Sequence, residues 1–247
     1  MEPAVKFGQA GIGFAERQQV YWFTTETDMA NLKVPKLPTI RRLPTYLYKL
    51  SEMRKAGVEI VATPELARYM NLGEIVIRKD LALTGVTGQP GVGYKVPELI
   101  EAIRHYLNWN NVSEAILVGA GSLGSALMGY EGFEEYGLRI IAAFDTDPAK
   151  IGTEVRGRSV FGIERIEELV PRLCVQMGII CVPASHAQDV ADRMVAGGIK
   201  AIWNFANVSL KVPEDVIVQR EVIAGGLAVL SVKMRQKLIE EEEALLD

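Results

Sequence analysis

Histidine and cysteine are scarce in this chain, with two of each among 247 residues, and that scarcity excludes a good deal of chemistry. Cys174 and Cys181 have neither CxxC nor Cys/His ligand spacing, which argues against a zinc site or a disulfide framework. Both read as small apolar fillers around a buried strand. His105 lies in a helical stretch, whereas His186 follows Val182-Pro183 at the carboxyl end of an apolar run, where open α/β sheets bind their ligands. A dehydrogenase needs a proton donor or acceptor there, and His186 is the one candidate. No carboxylate orients it at motif spacing, because Asp189 and Asp192 read equally well as the first turns of the next helix. No catalytic residue and no metal ligand is therefore assigned.

Long apolar runs are also missing. None approaches the length that crosses a bilayer, and the first residues lack the basic, apolar and small-residue order of a secretion signal. A cytoplasmic protein without membrane contact is the expectation. Hydrophobic residues nevertheless make up 49% of the sequence, enough for a sizeable core.

The net charge of −4 hides an asymmetry. Between Pro35 and Val96 ten basic residues face five acids, so that segment is basic and the remainder is strongly acidic. Such a split suggests that only the first part meets a polyanion. Residues 1–34 show no periodicity and read as an irregular extension. Met29 opens a stretch that would make a self-sufficient start, and it reads equally as an interior residue.

Residues 35–111 carry the signs of a winged helix-turn-helix. From Pro38, Leu43, Leu47, Leu50 and Met53 fall on one helical face and Gly57 stops the helix. A second helix opens with Thr63 as N-cap and Pro64 behind it, buries Leu66, Ala67 and Met70, and ends at Asn71-Leu72-Gly73. Glu74 to Leu83 forms the third, the candidate recognition helix. The glycine-rich run Thr84 to Tyr94 suits a hairpin wing. A linking helix follows from Val96 to Trp109, with Ile100, Ile103 and Leu107 on one face. On this layout Arg78 and Lys79 are candidates for base edges and Thr63 for a phosphate, with Arg41, Arg42, Lys49 and Lys95 tracking the DNA backbone.

Residues 112–226 alternate apolar strands with helices, at Ala115–Val118, Ile140–Phe144, Gly178–Val182, Ala201–Phe205 and Val216–Val218. That pattern predicts a doubly wound parallel sheet of Rossmann type, an α/β fold. The run Ile116-Leu-Val-Gly-Ala-Gly-Ser-Leu-Gly124 places Gly119, Gly121 and Gly124 between strand and helix, with Ser122 and Leu123 opening that helix. Asp145 ends the next strand, where a carboxylate accepts hydrogen bonds from an adenine-ribose diol and repels a 2′-phosphate. The expected ligand is NAD(H) rather than NADP(H). Residues 227–247 form a last helix whose Leu227, Leu230, Met234 and Leu238 make an apolar stripe, which either closes the domain or docks on another subunit.

The chain resembles the Rex family of redox-sensing transcriptional repressors. The resemblance runs through Thr39-Ile-Arg-Arg-Leu-Pro-Thr-Tyr46, Ile77-Arg-Lys-Asp-Leu81, Gly88-Gln-Pro-Gly-Val-Gly-Tyr94, Val118-Gly-Ala-Gly-Ser-Leu-Gly-Ser-Ala-Leu127, Phe144-Asp-Thr-Asp147, Val182-Pro-Ala-Ser-His-Ala-Gln188, Ala191-Asp192, Gly198-Ile-Lys-Ala-Ile202 and Asn204-Phe205. It implies a homodimer with a swapped C-terminal helix that holds an inverted-repeat operator when NADH is scarce and releases it when NADH binds. NADH and NAD+ are then effector ligands, and the protein is not an enzyme. The resemblance also makes Tyr94 a residue that distinguishes the two cofactor forms and places Arg42 close to the DNA. Pro183 would lie near the nicotinamide. Where the family carries an acid followed by an apolar residue before the last helix, this chain has Val222-Ile223, so Ile223 keeps the apolar contact and the acid's role is left open. Two rival readings are an NAD-dependent dehydrogenase with a basic assembly domain, which would turn over nicotinamide through His186, and a nucleotide-binding scaffold without DNA affinity.

Overall fold

The structure, a computed structural model, describes residues 37–244 and falls into two compact units that join in sequence between Asn111 and Val112. The expected irregular extension of residues 1–34 lies outside the described residues.

The first unit is built on three helices, α1 (Leu37–Lys55), α2 (Thr63–Met70) and α3 (Glu74–Ala82), followed by α4 (Val96–Tyr106). Leu43, Leu47, Leu50 and Met53 of α1 are buried as their spacing requires, and Tyr46 joins them. Gly57 ends α1 in a left-handed conformation at φ +78, with the Val58 amide bonded to the Met53 carbonyl and the Gly57 amide to Arg54. That is a Schellman stop, and glycine adopts its left-handed conformation without strain. Asn71, at φ 52, closes α2 in the same way.

The expected cap of α2 needs correction. Ala62, not Thr63, holds the N-cap position, because its carbonyl accepts the amides of Glu65 and Leu66. Thr63 is the first helical residue, and no side chain caps this end. Met70 is half-buried at the edge of the core rather than within it. Two short strands pair antiparallel, β1 (Ile60–Val61) with β2 (Tyr94–Lys95). Between α3 and β2 the wing turns at Pro90 to Val92, closed by one bridge between Gln89 and Gly93. It is a shorter hairpin than its eleven-residue run suggests.

The second unit carries a seven-stranded sheet. Its strands are β3 (Ser113–Val118), β4 (Leu138–Asp145), β5 (Glu154–Val155), β6 (Arg158–Gly162), β7 (Met177–Ile180), β8 (Ala201–Asn204) and β9 (Ile217–Arg220). The order across the sheet is β5-β6-β4-β3-β7-β8-β9, and every pairing is parallel except β5 with β6. The crossover helices are α5 (Ser122–Met128), α6 (Gly132–Glu135), α7 (Ile166–Leu173) and α8 (Ala184–Ala196). Strand β3 is buried on both faces, as a central parallel strand is. Ile116 and Val118 point into one core, Ala115 and Leu117 into the other. In β4 a register shift skips Ile141, so Leu138 and Ile140 share a face with Ala143 while Ala142 and Phe144 turn to the opposite one. That bulge lets one strand serve two cores without breaking its apolar run.

The chain winds from β3 outward to β6 and returns through β7 on the other side. The direction reverses between β3 and β7, and ligands bind outside the carboxyl ends at such a point. The hairpin β5–β6 escaped the sequence reading because its strands are short and partly polar. Cys174 was expected in the core, but it is exposed, in the left-handed conformation that ends α7. Cys181 is half-buried. The last helix, α9 (Ala224–Ala244), starts three residues before Leu227. Its stripe does not close the domain among the described residues, since Leu227, Leu230, Met234 and Leu238 are 52–65% exposed. No described helix is long and apolar enough to cross a membrane.

Candidate functional site

In the second unit, β3 and β4 deliver a glycine turn and a carboxylate to the same edge of the sheet. Gly119 leaves β3 at φ +101, and a Cβ there would stand 2.6 Å from the Cys181 carbonyl oxygen, so the turn presses against the loop after β7. Gly124 is buried in the first turn of α5, where a Cβ would overlap the Gly119 carbonyl. These two glycines are demanded by the fold itself. Gly121 is different. It caps α5 at φ −79 with nothing within 4 Å of its would-be Cβ, so nothing in the fold itself requires glycine there. Ser122 and Leu123 follow it on the surface, and the first-turn amides have no acceptor within the helix.

Asp145 closes β4, nearly buried, and is tied to the turn. One carboxylate oxygen accepts the Ala120 amide at 2.8 Å and the Lys150 ammonium at 3.1 Å, and the other accepts the Asp147 amide at 2.9 Å. Burial alone would raise its pKa, but the Asp147 amide, Lys150 and the Ala120 amide outweigh burial and hold it below the usual carboxylate value. The group is an anion at neutral pH, with two donors on Oδ2 and one on Oδ1. Lys150, which pairs with this carboxylate, was not singled out from the sequence, where nothing in its spacing from Asp145 marks it.

Pro183, the N-cap of α8, stands across the switch point, exposed beside His186. No carboxylate bonds His186 among the described residues, so its ring lacks the orienting partner of a catalytic base. The Cys181 thiol is pushed up to about 12 by burial and stays protonated. Ile223 precedes α9 and is 69% exposed. Tyr94 belongs to the other unit, where its ring packs in the core under Gly88.

The candidate DNA residues lie in the first unit. Thr63, Glu74, Arg78 and the wing residues Gly88 to Tyr94 line a cleft of about 520 Å³ between α2, α3 and the hairpin. Arg78 is exposed and bonded to Glu74 at 2.6 Å. Lys79 and Arg41 are exposed. Lys49 sits 4.9 Å from the Tyr69 ring centre and pairs loosely with Glu52, and Lys95 pairs with Glu98 at 2.7 Å.

Arg42 stands apart. Its Nε and one terminal nitrogen donate to the two oxygens of Asp80, both at 2.7 Å. Asp80 is 2% exposed and also accepts the Thr39 and Tyr46 hydroxyls at 2.9 Å each. Burial would raise the Asp80 pKa, but Arg42, Thr39 and Tyr46 together lower it, while burial and Asp80 raise that of Tyr46. This four-residue network ties α1 to α3, so most of Arg42's bonding capacity is spent inside the protein. The sequence held a signal for it: an acid among the buried positions of an amphipathic helix requires a partner.

Comparison with known proteins fits both halves. A family model described as a putative DNA-binding protein N-terminus matches residues 33–82, and one described as a CoA binding domain matches residues 110–208. The redox-sensing transcriptional repressor Rex of Treponema denticola is 45% identical over 209 residues, covering 85% of this chain and all of the relative. The protein of the same name from Carboxydothermus hydrogenoformans is 41% identical over 84% of this chain. Among solved structures, RSP in complex with β-NAD+ and operator DNA is 35% identical with a TM-score of 0.76, over 85% of this chain and 96% of that one. RSP in complex with β-NADH gives 34% and 0.77 over 85% of this chain and 98% of that one.

Proposed function

This chain belongs to the Rex family of redox-sensing transcriptional repressors, and on that premise we propose that it binds operator DNA through its first unit and is released when its second unit takes up NADH. The observation that carries this reading is the match, across both units, to a Rex-family structure holding β-NAD+ and operator DNA together. The glycine turn receives the pyrophosphate and Asp145 the adenine ribose. Coenzyme A bears a phosphate on that ribose and would meet the same carboxylate, so the site favours NAD(H).

The cofactor acts as a ligand and is not consumed, and the unpartnered His186 supports this over a dehydrogenase. The dihydronicotinamide ring is neutral and accepts burial beside Pro183 and Ile223 more readily than the cationic pyridinium does. Arg78 and Lys79 read bases, while Arg41, Lys49, Thr63 and Lys95 serve the phosphates; Arg42, engaged by the buried Asp80, holds α1 against α3 instead of contacting the DNA backbone. The protein works in the cytoplasm, as a homodimer on an inverted-repeat operator.

A ligand shifts an equilibrium only by its differential affinity for the two states, so operator DNA must weaken NADH binding by the factor by which NADH weakens operator binding. Anisotropy titrations of NADH with and without inverted-repeat DNA, and of that DNA with and without NADH, are expected to return matching factors of tenfold or more. Equal NADH affinity in both arms would reject the coupling. In the same assay Arg78→Ala with Lys79→Ala is expected to abolish specific binding while NADH uptake persists.

The exposed face of α9 supports dimerisation. Each leucine that passes from water into an interface contributes about 1.5–3 kcal/mol, and a charge in its place must be desolvated instead. Leu230→Glu with Leu227→Glu is therefore expected to shift the protein to monomer in sedimentation and to cost at least tenfold in operator affinity. An unchanged dimer would remove α9 from the interface.

A further inference from the structure

We infer that Lys150 sets how strongly this site rejects a ribose 2′-phosphate, acting as a built-in counter-ion to the carboxylate that receives the ribose diol. The inference rests on the reading that Asp145 receives the adenine ribose, and it adds a specificity-determining residue to that site.

The geometry is specific. The Lys150 ammonium stands 3.1 Å from Asp145 Oδ2 and 3.7 Å from Asp147 Oδ2, so a single cation bridges the acid that ends β4 and the acid two residues on. Its backbone amide is bonded to the Asp147 carbonyl, which anchors the residue in the turn beneath the carboxylates. The same Asp145 oxygen is fixed by the Ala120 amide, so the carboxylate cannot follow the lysine if the lysine moves. The side chain of Lys150 is 34% exposed and that of Asp145 10%, so the pair is partly shielded from water and its charges act on any group bound beside them.

A carboxylate at the end of the second strand excludes NADP(H) because a dianionic 2′-phosphate cannot sit against it. Here a second carboxylate, Asp147, stands 3.7 Å from the ammonium that pairs with Asp145, so one cation offsets two nearby acids. With Lys150 the phosphate meets one net negative charge, and without it two. At a half-solvated position a unit charge a few ångströms away changes affinity on the order of tenfold. The neutral diol of NADH has no charge to feel this difference. The sign is opposite to that of a lysine that directly binds the phosphate of an NADP enzyme in the absence of competing acids, since here the cation only weakens a rejection.

The test measures dissociation constants of NADH and NADPH by nicotinamide fluorescence for the full chain, for Lys150→Met and for Asp145→Asn, at low and moderate salt. Lys150→Met is expected to raise the NADPH-to-NADH ratio of dissociation constants about tenfold, with the effect shrinking as salt rises. Asp145→Asn is expected to lower the ratio. A lysine that only props up the turn would weaken both ligands alike and leave the ratio within twofold of the parent, which overturns the inference. Should Asp145→Asn leave NADH affinity within twofold, the ribose does not bind there, and the site reading and the inference fall together.

Discussion

Gly121→Val is expected to yield a folded repressor that NADH no longer releases, with NADH affinity down at least a hundredfold and operator affinity within threefold of the parent. The expectation follows from the contrast among the three turn glycines. Gly119 needs its positive φ and its proximity to the Cys181 carbonyl, and Gly124 has the Gly119 carbonyl against it, so substitution at either disturbs the turn itself. Gly121 has an ordinary extended φ and open space around its would-be Cβ. Valine at an N-cap costs about 1 kcal/mol in helix stability, which a core of this size tolerates. The added carbons occupy the volume a pyrophosphate needs to reach the first-turn amides of α5. Calorimetric titration of NADH, beside a gel shift at saturating NADH, checks both halves. Undiminished NADH binding would mean that the phosphates lie elsewhere.

How much of this was legible beforehand depended on the range of the interactions. The glycine turn, Asp145 and the alternation of strand and helix are local patterns, and α5 runs over Ser122–Met128 as its small residues suggested. Periodicity also placed Leu43, Leu47, Leu50 and Met53 in the core. Features that escaped depend on partners distant in sequence or on backbone energetics. The pairing of Ile60–Val61 with Tyr94–Lys95 joins two-residue strands more than thirty residues apart, too short to carry a period. Thr63 looks like a cap because threonine favours that position, yet the Ala62 carbonyl makes the first helical bonds. Cys174 looks apolar and near a strand, but a left-handed φ of 55 at the end of α7 turns it outward.

Lys150 shows the same limit at the site. Its position relative to Asp145 is set by the turn after β4, and nothing in the composition distinguishes it from a solvated surface lysine. On the basic face, charge counting located the right segment but could not separate cations that are available from those already engaged. Arg42 and Arg78 look alike in sequence. In the structure one is locked to a buried carboxylate and the other makes an exposed pair with a residue one turn away. The second kind contributes about 0.3–0.5 kcal/mol and is readily exchanged for a phosphate or a base edge.

Asp80→Ala is expected to destabilise the first unit by about 3 kcal/mol and to abolish operator binding, while NADH binding to the second unit survives. Asp80 accepts four hydrogen bonds, one each from Thr39 and Tyr46 and two from Arg42, and its removal leaves the donors of three residues without that acceptor. Breaking a buried pair by deleting one partner costs about 3–5 kcal/mol. The Arg42 side chain is 27% exposed and regains some water, so the lower end applies. Because α1 and α3 are joined through this carboxylate, its loss frees α3, the candidate recognition helix, from α1. The pH dependence has a definite sign. The folded-state pKa of Asp80 lies below its unfolded value, so its contribution is fully present above about pH 4 and is lost as pH falls through the depressed folded value. The parent's first unit should therefore hold its near-ultraviolet dichroism to a lower pH than Asp80→Asn, in which an amide replaces the charge and keeps the shape. If Asp80→Ala melts with the parent and still binds its operator, the network is decoration and the recognition helix is held by its apolar contacts alone.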